Sequence, residues 1–238
     1  MSLQGFFDAV HPFLTGEGSL EEFLAVAGPS SSPEADLRFY RWLVAFDQER
    51  ILSELCPALR ALVDRTEGLQ WGTLVAAYVA AWPPGGYSVP GVGEHLADWL
   101  VARRAEHPEQ PVALECLADL AWTRFLARTA PDEPGLGMDQ RVFLRHYPVD
   151  VIGLEAKLVP AQEGPVEPGS PCTLLIYRHR WRLGVTHLVP SLATLGLLAE
   201  LQGLERRGPL AELPREVLDA ERARLIERGV IGGSTQAS

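Results

Sequence analysis

The sequence predicts an α+β protein, in which a helical bundle domain precedes a small α+β domain of winged-helix type with a β-hairpin. Two observations carry this prediction. Apolar residues recur with a helical period up to about residue 130, and beyond residue 140 the period changes toward the alternation of strands. Between these parts, the segment APDEPGLGMD is rich in proline and glycine. We therefore expect a helical domain over 1–132, a linker over 133–139, an α+β domain over 140–232 and a frayed tail over 233–238.

The first two helices have clear signals in the sequence. The first follows from apolar residues at helical spacing, which are Leu3, Phe6, Phe7, Val10 and Leu14. Ser19 and Glu22 have the spacing of a capping box, in which each residue bonds the backbone of the other. This capping box opens a short helix that Gly28 and Pro29 end.

A longer helix is predicted over 30–59, where apolar residues recur at intervals of three, four and seven. These residues are Leu37, Tyr40, Val44, Ile51 and Leu55. Pro57 should break or kink this helix, because proline lacks an N–H group and clashes with the preceding turn. Further helices are predicted over 69–82, 91–108 and 111–131, each bounded by proline.

The period changes in the C-terminal part of the chain. Val149 alternates with Val151, and Ala156 with Leu158, which predicts one or two strands within 145–159. A loop with four prolines follows over 160–171.

The last hundred residues should contain one hairpin and two helices. Residues 172–189 contain two β-rich runs around a turn near His179 and Arg180. Helices are predicted over 190–204 and 213–231.

Charge and composition exclude several functions. The chain has 238 residues and a formal net charge of −10. Up to Gly135 it carries 9 Lys and Arg against 19 Asp and Glu, and from Leu136 onward 12 against 12. Because DNA is bound through an excess of Lys and Arg, nucleic acid is disfavoured as a partner.

The compartment is expected to be the cytoplasm. The N-terminal stretch has no basic region and contains Asp8, unlike a secretory signal. No apolar run approaches the length of a membrane span, so no membrane partner is expected. The three cysteines are sparse, as is typical of a reducing compartment.

The motifs of common enzymes and metal sites are missing from the sequence. None of the six histidines forms an H-x-x-x-H or H-E-x-x-H pair, and the cysteines form no C-x-x-C pair. The sequence also lacks G-x-S-x-G and the P-loop motif. We therefore expect a non-enzymatic chain without catalytic residues, metal site or cofactor of its own.

The segment YRHRWR, residues 177–182, is the most distinctive surface candidate. Three arginines and two aromatic residues would suit a nucleic-acid contact, or a hairpin tip against which a peptide lies. Trp181 is interpreted either as a partner-facing anchor, since Trp and Arg are enriched at binding hot spots, or as a residue packed on the sheet. A solvated tip without a partner is the third interpretation.

Several segments of the chain are similar to one bacterial protein family. LRFYRWLVAFDQERILSELCPALRALV resembles the family's signature helix R-x-x-Y-R-x-x-V, with Arg38, Arg41 and Val44 at matching positions, Tyr40 close to the tyrosine, and Cys56–Pro57 at its end. Four later segments resemble further family motifs, namely YVAAWPPGGYSVPGVGEHLADWL, LECLADLAWTRFLARTAPDE, TLLIYRHRWRLGVTHLVPSLATLGLLAEL and ERARLIERGVIGG. Ala121–Trp122 stands where the family has Glu-Trp.

These segments resemble the HvfC/MbnC-like family of methanobactin-type partner proteins, whose N-terminal part has been labelled DNA-binding. The resemblance implies a helical N-terminal domain and a C-terminal domain akin to precursor-recognition elements. It implies a heterodimer with a multinuclear non-haem iron oxidative enzyme of TIM-barrel fold, which modifies a ribosomally made precursor peptide. The iron then belongs to the partner enzyme, and this chain presents the peptide.

The candidate sites follow from this resemblance and from the hairpin. An extended peptide can add a strand to an exposed sheet edge, and arginines near the turn would attract an acidic leader. The expected peptide-binding residues are Leu174, Ile176, Arg178, Arg180, Trp181, Arg182 and Val185. The acidic helical domain is expected to dock the enzyme through Arg38, Tyr40, Arg41, Trp82 and Tyr87.

Two other functions remain as alternatives. A DNA-binding regulator would use the hairpin as a wing and place the helix SLATLGLLAELQGL in a groove. That helix has no Arg or Lys, so it is poorly equipped to read bases. A stand-alone enzyme ranks last, because no acid–base or nucleophile cluster emerges from the sequence.

Overall fold

The computed structural model describes residues 2–30, 32–83, 89–131, 141–160, 164 and 167–232. The chain forms two compact units. The first, here called the helical unit, comprises Met1–Asp119 and Ile152–Glu167, and the second, the sheet unit, comprises Leu120–Val151 and Pro168–Ser238. The predicted linker 133–139 lies outside the described residues. The domains were predicted as 1–132 and 140–232, whereas the first unit changes to the second after Asp119.

Helices make up most of the described chain, and the helical class expected for its first part is confirmed. The first five are α1 (Leu3–Thr15), α2 (Leu20–Ala27), α3 (Glu34–Leu55), α4 (Pro57–Arg65) and α5 (Trp71–Ala81). They are followed by α6 (Leu96–Glu106), α7 (Ala113–Thr129), α8 (Val151–Leu158), α9 (Leu192–Leu201) and α10 (Arg215–Glu227). Short 3₁₀ turns span Val89–Gly93 and Gly208–Leu210.

The predicted helix boundaries in the first part follow local chemistry. The capping box of α2 is present, with the Ser19 hydroxyl and the Glu22 carboxylate each accepting from the other residue's backbone N–H. Pro57 separates α3 from α4 and occupies the first turn of α4, where its missing N–H group costs nothing. The predicted break at this proline is therefore confirmed.

The helical unit is held together by apolar burial with a few polar links. Phe13 and Phe23 stack with their ring centroids 5.7 Å apart and join α1 to α2. The Trp71 indole N–H donates to the Ser53 hydroxyl at 2.8 Å, which links α5 to α3. The buried Tyr78 hydroxyl donates to the Val92 carbonyl at 2.8 Å, so this phenol is satisfied inside the core.

The sheet unit contains one antiparallel sheet of three strands, β1 (Val142–Tyr147), β2 (Cys172–Arg178) and β3 (Val185–Leu188), in the order β1-β2-β3. The predicted hairpin is confirmed as β2 and β3. Its turn closes where the His179 N–H donates to the Gly184 carbonyl at 3.1 Å. The strand β2 is central, and β1 and β3 are the edge strands of the described sheet.

The prediction of strands within 145–159 was only partly right. The strand β1 ends at Tyr147 and is followed by Pro148. The helix α8 begins three residues later, directly after Asp150. Val151, Leu154 and Leu158 are buried, whereas Ala156 is exposed, so the burial follows the helical spacing of three and four. Of the four residues in the apparent alternation, Val149 precedes α8, and Val151, Ala156 and Leu158 all belong to it.

The helices α9 and α10 cover one face of the sheet. Their buried residues pack with those of the sheet in one cluster, which comprises Val142, Leu175, Tyr177, Leu188, Leu197, Leu198, Leu218, Leu225, Val230 and Ile231. Gly196 on α9 lets the Leu213 side chain approach the helix closely, because a Cβ at this position would lie 2.8 Å from Leu213 Cδ1. Both helices were predicted, and their observed ends lie within the predicted ranges.

Candidate functional site

The outer edge of β1 is the most chemically distinct feature of the sheet unit. The Arg178 backbone N–H donates to the Arg141 carbonyl at 3.1 Å. This bond, with the register of the two strands, determines which residues of β1 direct their backbone groups toward β2. Because the direction of backbone groups alternates along a strand, those of Val142, Leu144 and His146 point away from β2. Within the described part of the chain, the N–H groups of these three residues have no partner.

The side chains along this edge are suited to an extended guest. Leu144 is 40% exposed, and His146 beside it is exposed with its Nδ1 atom 2.9 Å from the Thr173 hydroxyl. On the opposite face, the Arg145 guanidinium lies 5.5 Å from the Phe143 ring centroid. A strand added here would meet an apolar and a polar contact on one face and a cation on the other. The opposite edge, β3, has only four residues, and His187 there already has an interaction.

The predicted peptide-binding residues Leu174 and Ile176 do not lie on an edge. They belong to the central strand β2, whose backbone pairs with β1 and β3, and they are 2% and 0% exposed. Neither their side chains nor their backbone groups are available to a guest strand in this conformation. Their apolar character reflects a core strand that is buried on both faces.

Arg178 has a structural partner. Its guanidinium donates to the carbonyls of Arg128 and Ala130 at 2.7 and 2.8 Å. Both carbonyls lie at the C-terminal end of α7, where helix carbonyls lack intrahelical donors. A cation at this position also stabilises the negative end of the helix dipole. This arginine therefore fixes the end of α7.

The remaining predicted residues lie in or beside the hairpin turn. Trp181 is 62% exposed and its ring meets the His179 ring edge-on at 5.6 Å, while the Trp181 backbone N–H donates to His179 Nδ1 at 3.1 Å. The Arg180 N–H donates to the Gly229 carbonyl at 3.0 Å, which ties the turn to the segment after α10. Arg180 and Val185 are half-buried, and Arg182 is exposed.

The predicted docking residues lie on the helical unit. Arg38, Tyr40 and Arg41 share α3, where Arg38 pairs with Glu34 at 3.5 Å and Tyr40 is 60% exposed. The Arg41 guanidinium lies 5.6 Å from the Phe13 ring centroid. Trp82 follows α5 and is half exposed, and its ring centroid lies 4.3 Å from that of His95 with the two rings tilted by 30°. Tyr87 lies outside the described residues.

A row of aromatic residues on α3 was missed by the sequence analysis. We call Phe39, Trp42 and Phe46 the aromatic row. Consecutive rings stack at 5.7 and 5.4 Å with an interplanar angle of 22° in both pairs. These residues are spaced three and four apart, so they share one face of the helix. The sequence had predicted a different apolar face for this helix and only that one.

A cleft runs beside the aromatic row between α3 and α5. It has a volume of about 420 Å³, and Trp42 and Phe46 line one side of it. On α5 it is lined by Gly72, Ala76 and Ala80, which recur every four residues and are exposed. We call this feature the α3–α5 cleft.

A buried carboxylate links α9 to α10. Glu221 accepts from the Thr194 hydroxyl at 2.5 Å and from Arg224 at 2.5 and 2.7 Å. Burial acts to raise the pKa of Glu221, but the hydrogen bonds from Arg224 and Thr194 outweigh it and leave the pKa below the usual value. All of its partners are structural, so this cluster holds two helices together.

Cys56 is buried in the helical unit. Burial raises the pKa of the Cys56 thiol to about 12, so this cysteine is a thiol at neutral pH. Among the described residues, no group of three His, Cys, Asp or Glu side chains is arranged to hold a metal ion. No described helix is long and apolar enough to cross a bilayer.

No protein-family model matches the chain, and no curated protein matches it.

Proposed function

We propose that this chain is a non-catalytic partner subunit that binds the leader of a ribosomally made precursor peptide. It presents the peptide to a multinuclear iron-dependent oxidative enzyme of TIM-barrel fold, which modifies it. The observation that carries peptide binding is the outer edge of β1, with the outward N–H groups of Val142, Leu144 and His146. The identity of the enzyme and the origin of the peptide are supported by the resemblance of the sequence motifs alone.

Capture by strand addition uses groups that every extended peptide has. Each main-chain hydrogen bond contributes about 1 kcal/mol net, so three donors along β1 give a modest affinity that side chains must supplement. Leu144 and His146 offer those contacts on one face of the added strand. Specificity would then depend on only a few guest side chains.

Charge favours an acidic guest. Arg182 is exposed at the hairpin turn. This cation would steer an acidic leader and set its register more than it would raise its affinity. Arg178 is not part of this attraction, because its guanidinium already binds the end of α7.

The helical unit would dock the oxidative enzyme. Its predicted contacts are Arg38, Tyr40, Arg41, Trp82 and Tyr87, of which the first three share α3. The iron and the oxidative chemistry belong to the enzyme in this proposal. The chain itself would act in the cytoplasm without a cofactor.

The alternative function, DNA-binding regulation, has less support. The helix α9 would have to enter a groove, yet Leu197 and Leu198 pack it into the core of the sheet unit. It also has no Arg or Lys for phosphate or base contacts. No described feature of α9 favours this role.

The test is co-expression of the chain with the products of its neighbouring genes, followed by co-purification and mass measurement of the captured peptide. A barrel-type iron enzyme and a short peptide should be encoded there and should co-purify. The substitution Leu144→Pro removes one outward N–H, and proline is tolerated at such edge positions. We expect the captured peptide to fall at least about tenfold, since the lost hydrogen bond and the blocked pairing act together.

The control is Leu144→Thr, which keeps the N–H and the β propensity of the position. It loses the apolar contact of Leu144 but no hydrogen bond, so it should weaken peptide capture less than Leu144→Pro does. Equal capture by the Pro variant and the wild type would contradict strand addition at β1. The absence of any co-purifying peptide or enzyme would contradict the proposed function itself.

A further inference from the structure

The aromatic row is an exposed apolar surface of unusual composition. Phe39, Trp42 and Phe46 are 54%, 55% and 49% exposed, and Tyr40 next to them is 60% exposed. Contiguous exposed apolar patches on soluble proteins commonly mark sites of interaction. Aromatic residues are also the side chains that contribute most to protein interfaces.

The α3–α5 cleft gives this surface a defined shape. Gly72, Ala76 and Ala80 leave the exposed side of α5 without large side chains, and Trp42 and Phe46 stand along the opposite side. Small residues every four positions allow another backbone to approach a helix closely. A groove between two helices accepts the ridge of a third helix, because ridges and grooves of helices have matching spacings. The shape therefore suits an α-helix with an apolar stripe.

Charge identifies the kind of helix. Residues 2–55 and 71–81, which form α1, α2, α3 and α5, carry nine Asp and Glu against three Arg, a net charge of −6. Arg38 pairs with Glu34, and Arg50 pairs with Asp47 and Glu54. Arg41 lies over Phe13 and lines the cleft together with Glu49. A basic partner would meet complementary charge, whereas a second copy of this chain would bring two surfaces of −6 together.

We infer that the aromatic row and the α3–α5 cleft bind an amphipathic helix of a partner protein, whose apolar stripe is flanked by Lys and Arg. This inference rests on the proposed function in one respect, namely that the helical unit docks a second protein. It adds the chemistry of that partner surface. It also moves the centre of the predicted docking site from Arg38, Tyr40 and Arg41 to the neighbouring aromatic residues of the same helix.

The experiment uses two fluorescent probe peptides of about 18 residues, long enough to form a stable helix of five turns. Both carry leucine at helical spacing on one face, and the other positions are Lys-rich in one probe and Glu-rich in the other. Binding to the full chain is measured by fluorescence anisotropy. We expect the Lys probe to bind at least about tenfold more tightly than the Glu probe, and less tightly at about 300 mM NaCl than at 50 mM.

Three variants locate the binding surface. Trp42→Ala with Phe46→Ala removes two exposed rings, and Ala76→Gln places a longer neutral side chain in the cleft. Each should weaken the Lys probe at least about tenfold. Val101→Ala is the matched control, because Val101 is 48% exposed on α6 and does not line the cleft. It should change the affinity less than about twofold. All three variants should keep the wild-type thermal midpoint, since the altered positions are exposed.

Three results would overturn the inference. They are equal affinity for the Lys and Glu probes, full binding by both the double variant and Ala76→Gln, and a dimer in sedimentation equilibrium that the double variant dissociates. The last result would make a second copy the occupant. Peptide capture at β1 is measured separately with Leu144→Pro, so failure of the cleft and failure of the proposed function are distinguishable.

Discussion

Glu221 illustrates how one buried charge can stabilise a helix pair. Its carboxylate is 7% exposed and is satisfied by Thr194 on α9 and Arg224 on α10. A buried ion pair that loses one partner leaves the other charge uncompensated, which is more costly than the pair's own net contribution. The cluster therefore acts as a constraint on how α9 and α10 pack.

We predict that Glu221→Gln lowers the free energy of unfolding by about 1–3 kcal/mol near neutral pH, because the Arg224 cation loses its counter-charge. The folded-state pKa of Glu221 lies below its model-compound value of 4.5. Its contribution is therefore complete above pH 4.5 and is lost as pH falls through the lower folded-state pKa. The difference between wild type and variant in urea unfolding should shrink on acidification.

Glu205→Gln is the control for this experiment. Glu205 also pairs with an arginine, Arg207 at 3.0 Å, but both side chains are largely exposed. Exposed pairs contribute about 0–1 kcal/mol, so this variant should remain close to wild type. A constant difference between wild type and Glu221→Gln over the whole acid range would contradict the assigned role of the carboxylate.

Gly229 supports the hairpin turn through its lack of a side chain. Its φ of +65° favours glycine, and a Cβ there would lie 2.7–3.0 Å from three atoms of the His179 ring. We predict that Gly229→Ala destabilises the protein by more than about 2 kcal/mol, since the clash adds to the backbone strain. Gly203 has a φ of +69° but nothing within 4 Å of its Cβ position.

The substitution Gly203→Ala therefore measures the backbone strain alone, at about 1 kcal/mol. Urea unfolding of both variants separates the two effects. Adding His179→Ala to Gly229→Ala should recover part of the loss, because the clashing ring is removed. Equal destabilisation at the two glycines would show that the His179 contact is unimportant.

At the level of elements, Arg178 joins the central strand to the end of α7. We predict that Arg178→Ala lowers the free energy of unfolding by about 1–3 kcal/mol, since two carbonyls lose a charged donor. Arg182→Ala, at the exposed turn, should change it by less than about 0.5 kcal/mol. Thermal and urea unfolding provide the measurement. A similar small effect of both substitutions would contradict the capping role.

The sequence predicted those elements whose signals are local. The capping box of α2, the break at Pro57 and the hairpin depend on neighbouring residues, and all three are present. The helix α8 was missed because its pattern was short and adjoined a strand. Residues 151–158 span little more than two turns, so alternating and helical spacing were difficult to separate.

The helix α3 exposes a second limit of periodicity. It carries one apolar set with Leu52 at 0% exposure and another, the aromatic row, that is about half exposed. A pattern tells which residues share a face, but it does not tell which face finds a neighbour in the fold. The tertiary arrangement decides that, and the aromatic row therefore became visible only in the structure.

At the scale of the molecule, the sequence indicated the class of fold better than the position of its candidate sites. An α+β chain with a hairpin in its C-terminal part was predicted and is observed, and the observed sheet has three strands. The candidate edge was assigned to the hairpin because its arginines and tryptophan are conspicuous in the sequence. Strand order depends on long-range contacts. It places β1 at an edge of the sheet and the first strand of the hairpin, β2, at its centre.

The uneven charge of the chain also has a whole-molecule meaning. The acidic excess is concentrated before residue 135, whereas the remaining residues are balanced. Acidic and basic partners could therefore bind the same chain at different places without competing electrostatically. The proposed function, in which the chain binds a peptide and an enzyme at the same time, would require such a separation.

The shortness of β1 has a consequence for evolution. The strand has six residues and is followed by a proline, and only every second residue directs its backbone N–H and carbonyl groups away from β2. A ligand held over so small a window is read mostly by its shape as a ribbon of peptide units. Its sequence outside that window is free to drift. If β1 binds a precursor peptide as proposed, we expect the chain to tolerate peptides of divergent sequence, so that new products can arise while the chain itself stays unchanged.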